Sequence, residues 1–354
     1  MNPRERFLAA FEGEKPDRVA RFVQGVKEDF FALHEEAILD NFDGTLLFNL
    51  TFDAPLALGF DAVFAGVPTS VRCAGAKVVD DEEKEHHVGT NGQVRSKTSF
   101  YAGGVLTTQE KHDAVWETVE VFDNSDAIRA TAEYFSSVEH RIFPVPTIGG
   151  VFDQIWRSMG FSRFSREFGK KSQFYRNLIR DYADLTMANV EGVVRATGSK
   201  LGIITILDDV AFKGRPMISP TRFESDFVPA YQEITQVARD AGLHVMLHSD
   251  GDVTSLVPQL VAAGFEGVQG WEGGADPAVV ASKYPNFVVV GFGDVSDVLP
   301  FGTPADVEAH VKHLMDCLKP NRRFVVGPST VIVKEIPLEN VVAFVEAAEK
   351  YGRY

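Results

Sequence analysis

LGIITIL (201–207), LHVMLHS (243–249), FEGVQGW (265–271), NFVVVGF (286–292) and RFVVGP (323–328) are evenly spread apolar runs, preceded by RIFPVPT (141–147). They are continuous rather than alternating, the pattern of parallel strands covered on both faces. Each is followed by a polar or glycine-rich patch, a helical stretch, and a glycine or proline before the next run. Ser219-Pro220 opens one helix with an N-cap and an N1 proline, and Phe223, Phe227, Tyr231 and Ile234 recur along it. Thr303-Pro304 opens another, with Asp306 at N3 and Val307, Val311, Leu314 and Leu318 on one face. Such alternation predicts a parallel sheet. No glycine-rich phosphate turn follows the first run, so the expected fold is an α/β (β/α)₈ TIM-type barrel rather than an open doubly wound sheet.

Outward from these runs the pattern weakens. Residues 1–20 read as an N-terminal amphipathic helix carrying Phe7, Leu8 and Phe11. Residues 21–70 mix short apolar runs with polar turns and suggest no definite element. Residues 76–121 alternate polar and apolar around Thr90-Asn91-Gly92, which predicts a β-meander laid against the barrel, with His86 and His87 on a solvated hairpin. The 160–200 stretch predicts helix with a packing role. The whole chain, 1–354, is expected to form one barrel domain with these two additions.

The 354 residues are 45% hydrophobic with a formal charge of −15, and mean hydropathy is −0.06. This acidity disfavours nucleic acid and anionic lipid as partners. No apolar run reaches the roughly eighteen residues of a membrane helix, and the charged start offers no apolar leader, so a cytoplasmic protein is expected. Two distant cysteines, Cys73 and Cys317, exclude a thiolate-rich zinc site by count.

In a barrel of this type, chemistry sits at the C-terminal ends of the strands. Those positions are Asp208 and Asp209; His248, Ser249 and Asp250; Trp271 and Glu272; Asp294; and Ser329 and Thr330. One carboxylate after a strand is ordinarily a helix cap. Several around one mouth repel, by on the order of 1–4 kcal/mol per pair at about 4 Å. A fold keeps such a cluster where a cation offsets it or where raised pKa values serve a purpose. His248, Asp250 and Glu272 could hold a divalent metal with one open position. Equally, the carboxylates could act as acceptors and general acids toward a hydrogen-rich substrate.

The same residues resemble the uroporphyrinogen decarboxylase superfamily along nearly the whole chain. The segments are RERFLAAFEGEKPDRV (4–19), GGVFDQIWRSMGF (149–161), the Asp208–Asp209 pair with ISPTRFESDFVPAYQEI, HSDGDVTSLVPQLVAAGFEGVQGWE (248–272), VGFGDV (290–295), LPFGTPADV (299–307) and EAAEKYGRY (346–354). The resemblance implies a (β/α)₈ barrel. Decarboxylases of this superfamily carry an arginine motif close to RQAGRY, where this chain has RFVQGVKEDF (21–30). The methyltransferase branch is the better match. Its coenzyme M members bind zinc through H-x-C and a later cysteine, replaced here by His248-Ser249-Asp250 and Ser329. HSDG followed by Glu272 instead resembles methyltransferases that demethylate methoxylated aromatics. That likeness implies zinc on His248, Asp250 and Glu272, acting as a Lewis acid on the ether oxygen while cob(I)alamin takes the methyl group. It further implies Asp209 and Asp294 as catalytic or orienting groups, and Asp208, Trp271 and Ser329 as substrate contacts. The expected partners are a small methyl donor and a separate corrinoid protein carrying the cobalamin, since the chain lacks a DxHxxG turn of its own. Decarboxylation of a tetrapyrrole is the alternative activity, and a non-catalytic corrinoid carrier a third.

Overall fold

The computed structural model describes residues 1–95 and 101–354, with side chains at 94–102 excepted. Eight parallel strands run in chain order through one sheet: β1 (Phe22–Val23), β2 (Ala62–Gly66), β3 (Phe143–Gly149), β4 (Ile203–Leu207), β5 (His244–Ser249), β6 (Gly267–Gly270), β7 (Val288–Gly293) and β8 (Phe324–Pro328). A parallel bridge between Arg21 and Val326, with the Val326 N–H donating to the Ala20 carbonyl at 3.0 Å, joins the last strand to the first. The expected TIM-type barrel is therefore present. All six apolar runs supply strands, and the undefined 21–70 region supplies the remaining two.

Strand alternation sorts the side chains. Phe22, Ala62, Phe64, Phe143, Val145, Ile203, Met246, Val288, Val290 and Val325 form an inner core. Their neighbours in sequence, such as Val63, Ile204, Val245, Leu247, Val268, Val289 and Val326, pack outward beneath the helices. The lower end of the inner core is plugged by α1 (Pro3–Glu12), whose Phe7 and Phe11 are buried in it. Helix α1 starts at an Asn2/Glu5 capping box and stops at Gly13, where φ is +72°.

Three expectations need correction in detail. The 76–121 stretch contains a helix, Gln109–Trp116, capped by Thr108, so it is not a meander throughout. Its antiparallel ladders pair 76–79 with 85–88 and 93–95 with 101–104, while Val119–Val121 pairs back to Val71–Cys73. Thr90-Asn91 turns between the two ladders rather than within one. The portion of the expected meander at 96–100 lies outside the described residues. The helix beginning at Pro220 breaks at Phe227 into Pro220–Asp226 and Val228–Asp240, because Pro229 cannot supply the N–H that continuity would need. The 160–200 stretch likewise forms two helices, Phe161–Lys170 and Gln173–Thr197. No helix among the described residues is long and apolar enough to cross a membrane.

Candidate functional site

His248 is the fifth residue of β5, with the same parity as the inward Met246, so its ring points into the barrel just below the mouth. The register sets His248 opposite Gln269 of β6. Gln269 donates its Nε2–H to the Ser329 carbonyl at 2.9 Å, which leaves Oε1 to accept from His248 Nδ1 at 2.6 Å. That bond places the ring proton on Nδ1 and leaves a lone pair on Nε2. On the other side, Thr330 Oγ1 donates to Gln24 Oε1 at 2.7 Å, so the Gln24 amide NH₂ faces His248 Nε2 at 3.4 Å. The Phe64 ring packs edge-on at 5.8 Å. The imidazole is 6% exposed, and its lone pair is aimed upward into the mouth.

Two carboxylates meet it there. Asp209 Oδ1 lies 3.8 Å and Asp250 Oδ1 4.0 Å from His248 Nε2. Ligand atoms from these three residues all fall within 4.8 Å of one another, the grouping among the described residues that could hold a metal ion. Atoms on a tetrahedral zinc sit about 3.3–3.5 Å apart, so the residues need only a small inward adjustment. Asp250 Oδ1 is buried and has no hydrogen-bond partner, a costly state that a cation would relieve. The donor set fits a divalent ion of the zinc class. Both cysteines are free and lie elsewhere, Cys73 beside Thr118 and Cys317 beside His313.

Around the trio, the helix Phe152–Met159 contributes Arg157. Its guanidinium pairs with Asp209 Oδ2 at 2.8 Å and with Asp153 Oδ2 at 2.9 Å. Asp209 Oδ1 also accepts the Asp250 N–H at 3.0 Å, so its carboxylate is held from both sides. Outer contacts of this kind orient metal ligands. Asp208, the neighbour of Asp209, turns the other way. Its carboxylate accepts the N–H groups of Val151, Phe152 and Asp153 and so anchors the start of that same helix.

Electrostatics follow from this crowding. Burial pushes the Asp250 carboxyl up to about 6, helped by the charges of Asp209 and Glu272 and opposed by His248 and Arg157. Burial pushes Asp208 up to about 7 against the three backbone N–H bonds. Asp153 is raised well above the usual range by burial and by Asp208, with Arg157 opposing. An unfolded Asp titrates near 3.9, so the folded chain holds these protons more tightly. Stability from such groups is lost as pH rises from about 4 through the folded values. Acidifying the metal-free protein from pH 8 to pH 5 should therefore raise its thermal midpoint relative to an Asp250→Asn variant, which takes up no proton there. A difference between the two chains that stays constant across that window would remove Asp250 as the group responsible.

The other sequence candidates take different places. Glu272, expected as a ligand, lies outside the trio and accepts from Ser296 Oγ at 2.6 Å, so Asp209 replaces it in the ligand set. Trp271 is 2% exposed, stacked on Phe292 at 5.5 Å with its Nε1–H given to the Val268 carbonyl. Its indole is thus core rather than a surface for substrate. Asp294 Oδ1 accepts the N–H groups of Ser296 and Asp297, a turn cap before the short helix Val298–Phe301. Ser329 is fully buried, and it is its carbonyl that serves the site, through Gln269. Gln24, Arg157 and Gln269 were not anticipated. Gln269 had a readable signal, since a polar side chain in the middle of a continuous apolar strand must find a buried partner.

A family model described as "Uroporphyrinogen decarboxylase (URO-D)" matches residues 123–351. Among solved structures, a methyltransferase from Methanosarcina mazei aligns over 99% of both chains with a TM-score of 0.64 and 18% identity. A pneumococcal virulence factor, StrH, described for N-glycan recognition and hydrolysis, aligns over 95% of this chain and 85% of its own, with 11% identity and a TM-score of 0.43. The 3-keto-D-glucoside 4-epimerase YcjR from E. coli aligns over 68% of this chain and 92% of its own, with 16% identity and a TM-score of 0.39. At these identities the likeness to solved structures is one of fold. No curated protein matches the chain.

Proposed function

The chain belongs to the uroporphyrinogen decarboxylase family, and from that premise we propose that it is a methyltransferase. It moves a methyl group from a small, methoxylated donor to the cobalt of a separate corrinoid protein. The observation that carries this reading is the His248–Asp209–Asp250 trio, with a fixed imidazole tautomer and an unpartnered buried Asp250 oxygen at the barrel mouth. A divalent ion bound there supplies Lewis acidity toward an ether oxygen, which otherwise leaves poorly as an alkoxide or phenolate. His248 would present Nε2, and Asp209 and Asp250 one oxygen each. Gln269 holds the ring, and Arg157 holds Asp209 and offsets the second negative charge. The M. mazei methyltransferase, alike over its full length, supports the branch of the family.

Tetrapyrrole decarboxylation has the name of the family model in its favour. The placement of cations speaks against it. Arg18 and Arg21 precede β1, at the end of the barrel opposite the mouth, and pair with Asp61 and Glu349. After β1 comes Gln24, and Arg157 is already committed to two carboxylates. A multiply anionic substrate would meet an acidic rim without free arginines from these segments.

The test is to incubate zinc-loaded protein with a panel of methoxylated aromatics and free cob(I)alamin, following the visible spectrum for methylcob(III)alamin. Methyl transfer abolished by chelation and restored by zinc is the expected result. Turnover of uroporphyrinogen, with no methylation across the panel, would overturn the reading in favour of the decarboxylase.

A further inference from the structure

The molecule's largest cleft, about 450 Å³, is not at the mouth. It opens at the opposite end of the barrel, where Glu266, Phe287 and Arg323 immediately precede β6, β7 and β8. That volume falls in the ordinary range of small-molecule sites. Its lining is unlike the rest of the protein. In a chain of net charge −15, it brings together Arg239, Lys283 and Arg323 with a single carboxylate, Glu266. Glu266 is already occupied, accepting from His244 Nδ1 at 2.8 Å and from the Val245 N–H at 3.2 Å. Arg323 spends one nitrogen on the carbonyls of Ala10 and Phe11 at the end of α1, which fixes its guanidinium against the cleft wall. Arg239 and Lys283 make no ion pair with any described carboxylate. Between the cations the floor is aromatic, with buried Phe265 and Phe287 beside a half-buried Tyr284.

Unpaired cations on a surface this acidic would ordinarily be drawn to one of the many nearby carboxylates. Here they face an apolar cavity instead. We propose that this cleft binds a small organic anion, a carboxylate or phosphate monoester attached to a planar apolar body, at a site separate from the mouth. The cations take the anionic head, while the ring lies on the aromatic floor. Nothing in this assignment depends on the activity proposed above.

Benzoate and phenyl phosphate are suitable probes, titrated calorimetrically into the full-length protein. Both should bind saturably at one site, with dissociation constants in the millimolar range or below, and whichever binds more tightly identifies the preferred head group. An Arg239→Ala/Lys283→Ala double variant should bind at least about tenfold more weakly. Both positions are exposed, so its thermal midpoint without ligand should match the wild type. Acetate and benzyl alcohol, each lacking half of the recognised chemistry, should bind at least about tenfold more weakly than benzoate. His248→Ala should bind the probes as wild type does. The assignment is overturned by absence of saturable binding, by probe affinity that ignores the double variant, or by loss of binding in His248→Ala, which would move the probe to the mouth.

Discussion

Replacing His248 with alanine should lower the protein's affinity for Zn²⁺ by more than about 100-fold, beyond the 10–100-fold that loss of an outer partner causes. The imidazole is the one neutral ligand in the trio, and its Nε2 lone pair is fixed in direction by Gln269 and the protein around it. Gln269→Ala frees the ring to rotate and change tautomer, so it should fall within that outer-partner range. Asp209→Asn should be more damaging than Glu272→Gln, because the former lies within the trio and the latter is held by Ser296. Titration of metal-stripped variants against a competing chelator measures all four, with circular dichroism to confirm that each is folded. Affinity of His248→Ala within threefold of the parent removes the site. A larger loss in Glu272→Gln than in Asp209→Asn returns the ligand set to the one first read from the HSDG segment.

That reversal between Asp209 and Glu272 shows where sequence reading reached its limit. Strand ends are legible because buried parallel strands are apolar throughout, and the first polar residue marks the mouth. Which way that residue then points is decided by backbone turns and by neighbouring chains. Asp208 and Asp209 are adjacent and chemically identical, yet Asp208 is captured by the free N–H groups of the helix at 152 while Asp209 meets Arg157. No local pattern distinguishes them. Trp271 is similar. Its backbone φ of +67°, matched by +71° at Phe292, turns both rings back into a parallel stack beneath the rim, and positive φ at bulky residues has no sequence signature. Helix caps, by contrast, were readable. Thr303 and Asp306 form the reciprocal capping box that their spacing predicts.

The two strands that went unread, Phe22–Val23 and Ala62–Gly66, are short, and the first is only two residues long. Their barrel positions rest less on ladder bonds than on charge. Arg18 and Arg21 on one side of them and Asp61 on the other look like a solvated loop in the sequence. In the fold they are a buried ion-pair network beneath the barrel.

Asp61→Ala should destabilise the protein by about 3–5 kcal/mol, the cost of removing one partner from a buried ion pair. The Asp61 carboxylate is 5% exposed and accepts from Arg18 at 2.6 and 2.7 Å, from Arg6 at 2.8 Å, and from the Arg21 N–H at 2.7 Å. Its own N–H donates to the Arg21 carbonyl, and its carbonyl accepts the Phe143 N–H, so one residue ties β1, β2 and β3 together. Because Arg21 also bridges to Val326, loosening Asp61 loosens the seam that closes the barrel. The loss would be a large share of the roughly 5–15 kcal/mol that keeps a protein folded. Glu349 contacts the same arginines at 3.0 and 3.6 Å but is 38% exposed, so solvent screens it and Glu349→Ala should cost no more than about 1 kcal/mol. Urea unfolding of the two variants compares them directly, and equal losses would show that Asp61 is not the anchor of closure. The acid limb gives a second reading. Burial alone would raise the Asp61 carboxyl, but hydrogen bonding from Arg18 and the charges of Arg21, Arg18 and Arg6 hold it below the usual range. Its stabilising contribution is therefore complete above the unfolded value near 3.9 and lost as pH falls through the folded one. The stabilities of the parent and Asp61→Ala should accordingly converge as the solution is acidified through that window and stay apart at neutral pH.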